Sequence, residues 1–308
     1  MSWRVRWAFV AVSIIWGLPY FFIKVALRDV DPLLICWSRV TLAALILLPI
    51  AARRGGLPQL RGHLGAVVAF AVVEFAIPYW LIPLAERWIS SSVTGILLAA
   101  VPLATALLAR FVGVHERLSV RRGLGLAVGF IGVIVLLGLV SISGAYGWAA
   151  VGCMLLATAG YALGALVVQR YLSGIDPVAP LGASLAVAGL LLTIPAALTL
   201  PSHLPSVWTF GALTVLGVLC TAIAMLLMFY LIREAGAMRA SVVTYVNPAV
   251  ASLVGVSVLG ESLGLSDLLG LGLILAGSWL ATHGPSPRSA TMNNRGKASS
   301  TLPSSSGG

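Results

Sequence analysis

Val114-His-Glu-Arg-Leu118 and Leu259-Gly-Glu-Ser-Leu263 decide the fold, because Glu116 and Glu261 stand in matching pentads 145 residues apart. The register extends outward from them. Gly125 and Gly132 fall on Gly270 and Gly277 at the same spacing, and Asp31-Pro32 falls on Asp176-Pro177 at 145. Pro49 and Pro102 fall on Pro195 and Pro248 at 146, and Trp7 and Tyr20 on Trp148 and Tyr161 at 141. One match could be chance. The set describes a unit duplicated over nearly the whole chain.

What that unit is made of follows from composition. The 308 residues are 59% hydrophobic and 9% charged, against roughly 45–50% and about 25% in soluble domains. A mean hydropathy of +1.03 requires apolar residues almost everywhere, which excludes an ordinary water-soluble protein. A bilayer core of about 30 Å takes about 20 apolar residues per helix. Stretches of that length recur at 7–27, 33–51, 64–84, 89–110, 122–139, 148–171, 179–200, 207–232, 240–259 and 268–283. The connections carry turn formers, among them Arg28-Asp-Val-Asp-Pro32, Arg53-Arg-Gly-Gly-Leu-Pro58 and Ser173-Gly-Ile-Asp-Pro177. The expected fold is an all-α integral membrane protein of ten transmembrane helices in two five-helix repeats, 1–140 and 141–283, followed by a disordered cytoplasmic tail, 284–308. Five is odd, so the second repeat enters the membrane inverted. Inverted repeats mark alternating-access transporters that hold substrate near the midplane; duplication without transport is the alternative.

Charge placement gives the orientation. The chain has 19 Lys and Arg against 9 Asp and Glu, a net +10. With the N-terminus cytoplasmic, fifteen basic residues lie on that side and only Arg28 and Arg87 on the other, so both termini are expected inside. The basic balance is therefore a topology signal and not a nucleic-acid footprint. Cys36, Cys153 and Cys220 lie in apolar runs without CxxC spacing and read as small apolar fillers.

A family resemblance becomes specific in the first repeat. Trp16-Gly-Leu-Pro-Tyr-Phe-Phe-Ile-Lys24, then Pro32, Arg39, Pro102, His115-Glu-Arg-Leu118 and a Gly-rich fifth span resemble the EamA-type transporters of the drug/metabolite transporter superfamily, over about residues 7–283. Within that family the sequence is similar to the YddG-type amino-acid exporters. The resemblance implies a two-repeat helical bundle around a central cavity, export of small metabolites, an inner-membrane location and no cofactor.

Other chemistries find no support. The only lysines, Lys24 and Lys297, are not in a GxxxxGK[ST] phosphate cradle, so no ATPase resides here. His63, His115, His203 and His283 lack HExxH or ligand spacing, which removes a metal hydrolase.

Glu74 stands alone as a mid-depth carboxylate, where an unpaired charge costs at least ~2.5–3.5 kcal/mol. It is expected to serve as a proton carrier or an ammonium partner, or else as a neutral carboxyl bonded to a neighbouring helix. Trp16, Tyr20, Tyr79, Trp80, Tyr161 and Tyr245 fall away from the interfacial belts and are expected to line the cavity as a set, with Asn247 offering an amide to a substrate carboxylate. Pro19, Pro78, Pro102 and Pro248 interrupt spans and are hinge candidates, packing kinks being the alternative. Lys24 and Arg39 are expected to be structural charges, snorkelling or pairing with Asp29, Asp31 and helix-end carbonyls. Glu116 and Glu261 are expected to cap helices or pair in loops.

These readings favour a secondary transporter exporting neutral amino acids, whose partners are the small-molecule substrate and the lipid bilayer. A cationic drug exporter and a non-transport scaffold or lipid-processing protein are the alternatives.

Overall fold

A computed structural model describes residues 2–109, 111, 120–139, 144–235 and 243–282. Glu116, the side chain of Tyr245 and the tail from 284 onward lie outside the described residues. Among those described, every regular element is a helix. Seven are long and apolar enough to cross a bilayer: α1 (Trp3–Ala26), α2 (Pro32–Arg53), α3 (Leu64–Ala85), α4 (Ser91–Leu108), α6 (Tyr146–Leu172), α7 (Val178–Ala197) and α8 (Val207–Glu234). Shorter apolar stretches lie within α5 (Val120–Leu139), α9 (Val243–Leu259) and α10 (Leu265–Thr282).

Packing follows the repeat. α5 lies along α10, α2 along α7 and α4 along α9, so three helices of the first half each meet their counterpart. The remaining contacts exchange in the same way: α3 packs on α6 as α8 packs on α1, and α2 packs on α8 as α7 packs on α3. Between helices in lipid, close backbone approach replaces the hydrophobic effect as the source of attraction. The α5–α10 pair supplies that approach with glycine: a Cβ on Gly132 would sit 2.7 Å from the Ile274 nitrogen, and one on Gly277 would overlap the backbone of Gly129. Gly125-x-x-x-Gly129 thus serves an internal contact, since the Gly125 carbonyl lies at the same seam.

Local chemistry sets the helix ends. The repeated Asp-Pro pair acts alike in both halves: Asp31 accepts from the Leu33 N–H at 2.9 Å and Asp176 from the Val178 N–H at 3.1 Å, with Pro32 opening α2 at N1. Two helices break inside the bundle. α1 stops at Ile15 and restarts at Pro19, where Gly17 allows Val250 and the Asn247 carbonyl to approach. α4 breaks at Ala99–Ala100 and restarts at Val101 with Pro102 in its first turn, where the missing N–H leaves no helical bond unmade. Its counterpart behaves differently, for α9 runs unbroken through Pro248. Matching prolines therefore do not make matching breaks.

Three helices also loosen. α3 widens to i→i+5 bonding over Ala71–Ala76 and α8 over Val215–Ile223; the same happens at the end of α6, Val168–Leu172. Such π-turns recur at functional sites because they rotate side chains out of the regular helical register.

Candidate functional site

The polar centre of the molecule is built around Arg39, in the second turn of α2. Only 7% of this residue is exposed. Its guanidinium carbon lies 3.8 Å from the centroid of the Tyr79 ring, and its Nε donates to Thr221 Oγ1 at 2.9 Å. The Thr221 hydroxyl in turn donates to the Leu216 carbonyl at 2.9 Å, a bond that the widened turn of α8 brings into reach. Tyr79 stands edge-on to Tyr161 at 6.5 Å and to Phe75 at 5.6 Å between centroids. Tyr161 packs against both main apolar clusters, and Tyr20 lies within electrostatic range of Arg39 and Tyr79.

Glu74 sits on the widened turn of α3, half-buried, with its carboxylate over the bare backbone of Gly164 on α6. A methyl group at Gly164 would overlap that carboxylate. Gly160, one turn earlier, lets the Val73 carbonyl and Pro78 approach in the same way, so Gly160-x-x-x-Gly164 is the track along which α6 receives α3.

Arg39 therefore does not pair with Asp29 or Asp31 as its sequence neighbourhood suggests. Both acids have partners of their own. Asp31 accepts from Arg87 at 2.9 Å, and Asp29 takes the Thr209 hydroxyl at 2.6 Å and the Ser206 N–H at 2.8 Å. Those bonds, Thr209 first, hold the Asp29 carboxyl down to about 2. Helical geometry accounts for the difference: the residue stands on the face of α2 turned to α3 and α8, about 10 Å along the helix from its N-terminus. It is thus a central charge and not a snorkelling one.

At the same end of the bundle as Asp29 and Asp31, a second polar group joins four segments. Lys24 Nζ donates to the backbone carbonyls of Glu86 and, at 2.8 Å, of Ile89, closing the end of α3. Glu261, between α9 and α10, accepts the N–H and hydroxyl of both Ser91 and Ser92 at 2.7–3.0 Å and so caps α4. Burial pushes the Glu261 carboxyl up, but the bonds from Ser92 and Ser91 outweigh it and hold it below the usual carboxylate range. Glu86, which sequence reading passed over, is 1% exposed, and neither carboxylate oxygen has a hydrogen-bond partner.

Other expected site residues are dispersed. Trp80, adjacent to Tyr79, points outward and is 38% exposed. Trp16 packs on the Val5, Val12, Leu231 and Val243 cluster between α1, α8 and α9. Asn247 lies beside the α1 break with its Oδ1 buried and unpartnered. Pro19 and Pro102 restart broken helices, and Pro78 follows the widened turn of α3. Two surface grooves, one of ≈ 250 Å³ at Gly65, Ala69 and Tyr171 and one of ≈ 390 Å³ between α2 and α7 at Trp37 and Thr193, contain none of these residues.

The sequence matches the EamA-like transporter family twice, over residues 4–138 and 148–282. The chain belongs to the EamA-like transporter family. That membership makes it a membrane transporter and not an enzyme, and the double match is the duplication read from the pentads. Among EamA relatives, the Escherichia coli (strain K12) protein named as inner membrane transporter YedA is 31% identical over 281 residues, covering 90% of each chain. A transporter from Archaeoglobus fulgidus is 26% identical over 288 residues, covering 90% of this chain and 99% of its own. The transporter YoaV of Bacillus subtilis is 21% identical over 287 residues. A solved crystal structure at 19% identity superposes with a TM-score of 0.65 over 90% of this chain and 97% of that one, which shows a shared fold alone.

Proposed function

We propose that this EamA protein is a secondary transporter that exports neutral amino acids, aromatic ones included, across the inner membrane by alternating access. In this reading α1–α10 are ten transmembrane helices in two inverted repeats, with both termini cytoplasmic. The observation that carries it is the cluster of buried Arg39 and Tyr79 with half-buried Tyr161 and Glu74, drawn from α2, α3 and α6 at the meeting of the two halves. A buried guanidinium held by one hydrogen bond and a half-buried carboxyl with none among the described residues carry a desolvation cost. A substrate that brings the complementary groups offsets that cost. Rings beside them suit an apolar or aromatic side chain. One basic and one acidic group cannot compensate a nucleotide or a sugar phosphate, whose several charges demand several partners. Arg39 also weighs against the cationic drug reading, because it repels the ligand that reading requires.

The breaks in α1 and α4 and the widened turns of α3 and α8 supply the backbone freedom that rocking one half against the other needs. Counterflow in proteoliposomes containing only this chain tests the function: labelled phenylalanine or leucine should exchange, and glucose 6-phosphate and AMP should not. Exchange of the phosphates without the amino acids overturns the reading. Orientation is tested by single cysteines at Gly55 and Ser202 in a cysteine-free chain. Only Ser202→Cys should react with an impermeant reagent in intact cells.

A further inference from the structure

Arg39 and Glu74 have opposite charge, occupy the same polar centre and are left unsatisfied by the protein. Among the described residues the only hydrogen bond from Arg39 is the one from Nε to Thr221, neither Nη group has an acceptor, and no carboxylate lies within 4 Å. Glu74 makes no hydrogen bond and no ion pair among them either. The two are not a salt bridge with each other. Tyr79 and Tyr161 stand within electrostatic range of both groups, and the guanidinium stacks on the Tyr79 ring.

Each charge is also held in place from outside the pair. Tyr79 supports the guanidinium face and Thr221 fixes its Nε, which turns the Nη edge to whatever enters. A guanidinium edge with free N–H groups matches a carboxylate bidentately. Gly164 leaves room for the Glu74 carboxylate to lie against the α6 backbone. A structural ion pair would have brought the two together. This arrangement leaves them unpaired beside two aromatic rings, where a ligand with two charged ends and an apolar body can be received.

We propose that Arg39 and Glu74 form a two-point zwitterion receptor, Arg39 taking the α-carboxylate and Glu74 the α-ammonium, with Tyr79 and Tyr161 against the side chain. This rests on the amino-acid reading above and deepens it: both ends of the substrate are required, and each is read by one named residue. Asn247 and the phenols are then not the carboxylate site. Thr221 is a positioning residue that acts through Arg39.

Equilibrium binding separates this proposal from transport. Purified protein in lipid nanodiscs is titrated with phenylalanine, with phenethylamine, which lacks the carboxylate, and with 3-phenylpropanoate, which lacks the ammonium. Wild type should bind phenylalanine at least roughly tenfold more tightly than either analogue, because a lost charge-assisted contact of ~1.5 kcal/mol or more is about a factor of ten. Arg39→Gln should erase the preference over phenethylamine and keep that over 3-phenylpropanoate; Glu74→Gln should do the reverse. Thr221→Val, which keeps both charges, should reduce the first preference severalfold and leave the second. If Arg39→Gln does not fold, the wild-type ranking and Thr221→Val carry the test. Equal binding of the three ligands by wild type, or the wild-type ranking retained in the variants, overturns the proposal. Discriminating binding without counterflow overturns the export reading and leaves the receptor standing. Counterflow of phenylalanine without discrimination overturns the receptor alone.

Discussion

The widened turns of α3 and α8 are the same backbone device at matching places in the two repeats, and they deliver different chemistry. Ala71–Ala76 presents Glu74 and leads into Tyr79; Val215–Ile223 presents Cys220 and Thr221, and no charge. The helices before them differ in the same sense. Arg39 on α2 faces the centre, whereas Ser184, its counterpart 145 residues on in α7, donates to the Val67 carbonyl at 2.9 Å and ties α7 to α3. Both charges of the centre thus come from the first repeat. The second contributes the groups that hold or flank them: Thr221 on Arg39, and Tyr161 and Gly164 beside Tyr79 and Glu74. Duplication leaves two like scaffolds, and divergence leaves both charges on one of them.

Substitutions can break that division of labour. Gly164→Ala carries the largest expected effect, since its methyl group meets the Glu74 carboxylate. Overpacking of this kind costs ~1–3 kcal/mol, which is ~5–150-fold if it falls on phenylalanine affinity. Titration in nanodiscs checks it, and unchanged affinity would remove Glu74 from the site. Glu261→Gln tests the cap at the bundle end away from the centre, where loss of charged bonds to the α4 N-terminus should cost ~1–2 kcal/mol. The sign with pH follows from its lowered carboxyl. A group whose folded value is depressed contributes stability above its unfolded value, about 4.3 for Glu, and loses it as pH falls through the folded one. The gap in Tm between wild type and Glu261→Gln should therefore be full near neutrality and close in acid. Ser184→Ala should cost ~0.5–1.5 kcal/mol in stability through the lost bond to Val67 while leaving the ranking of the three ligands intact. Arg39→Gln, at the matching position, changes it. Trp80→Ala is expected to be the mildest, within about 0.5 kcal/mol and with phenylalanine uptake unchanged, because the indole points outward.

The duplication, the helical class and the Asp-Pro helix starts were legible in the sequence because spacing and hydropathy are carried along the chain itself. Glu74 and Tyr79 stand out in the sequence as polar groups deep in apolar runs, and the structure sets both beside α6. Arg39 was misread for a physical reason. Asp29 and Asp31 are its near neighbours in sequence, but they lie beyond the N-terminal end of α2, and Arg87, Ser206 and Thr209 from distant segments satisfy them. A signal was present: an arginine well inside an apolar stretch that could reach a phenol on another span. Trp80 was misread because one step along a helix turns a side chain by about 100°, which sends it outward while Tyr79 turns inward. The widened turns left no trace in composition, because i→i+5 bonding depends on neighbouring helices.

The central claim is that the Arg39–Thr221 centre is reached alternately from the two sides of the membrane and is occupied by substrate. Cys220 precedes Thr221 and lies within electrostatic range of Arg39. It can be kept as the sole thiol by replacing Cys36 and Cys153 with alanine. In proteoliposomes of known orientation, an impermeant thiol reagent should modify Cys220 when added to either face, and phenylalanine should slow the modification from both. Modification from one face only, under every substrate gradient, or modification that phenylalanine leaves unchanged, would contradict the account.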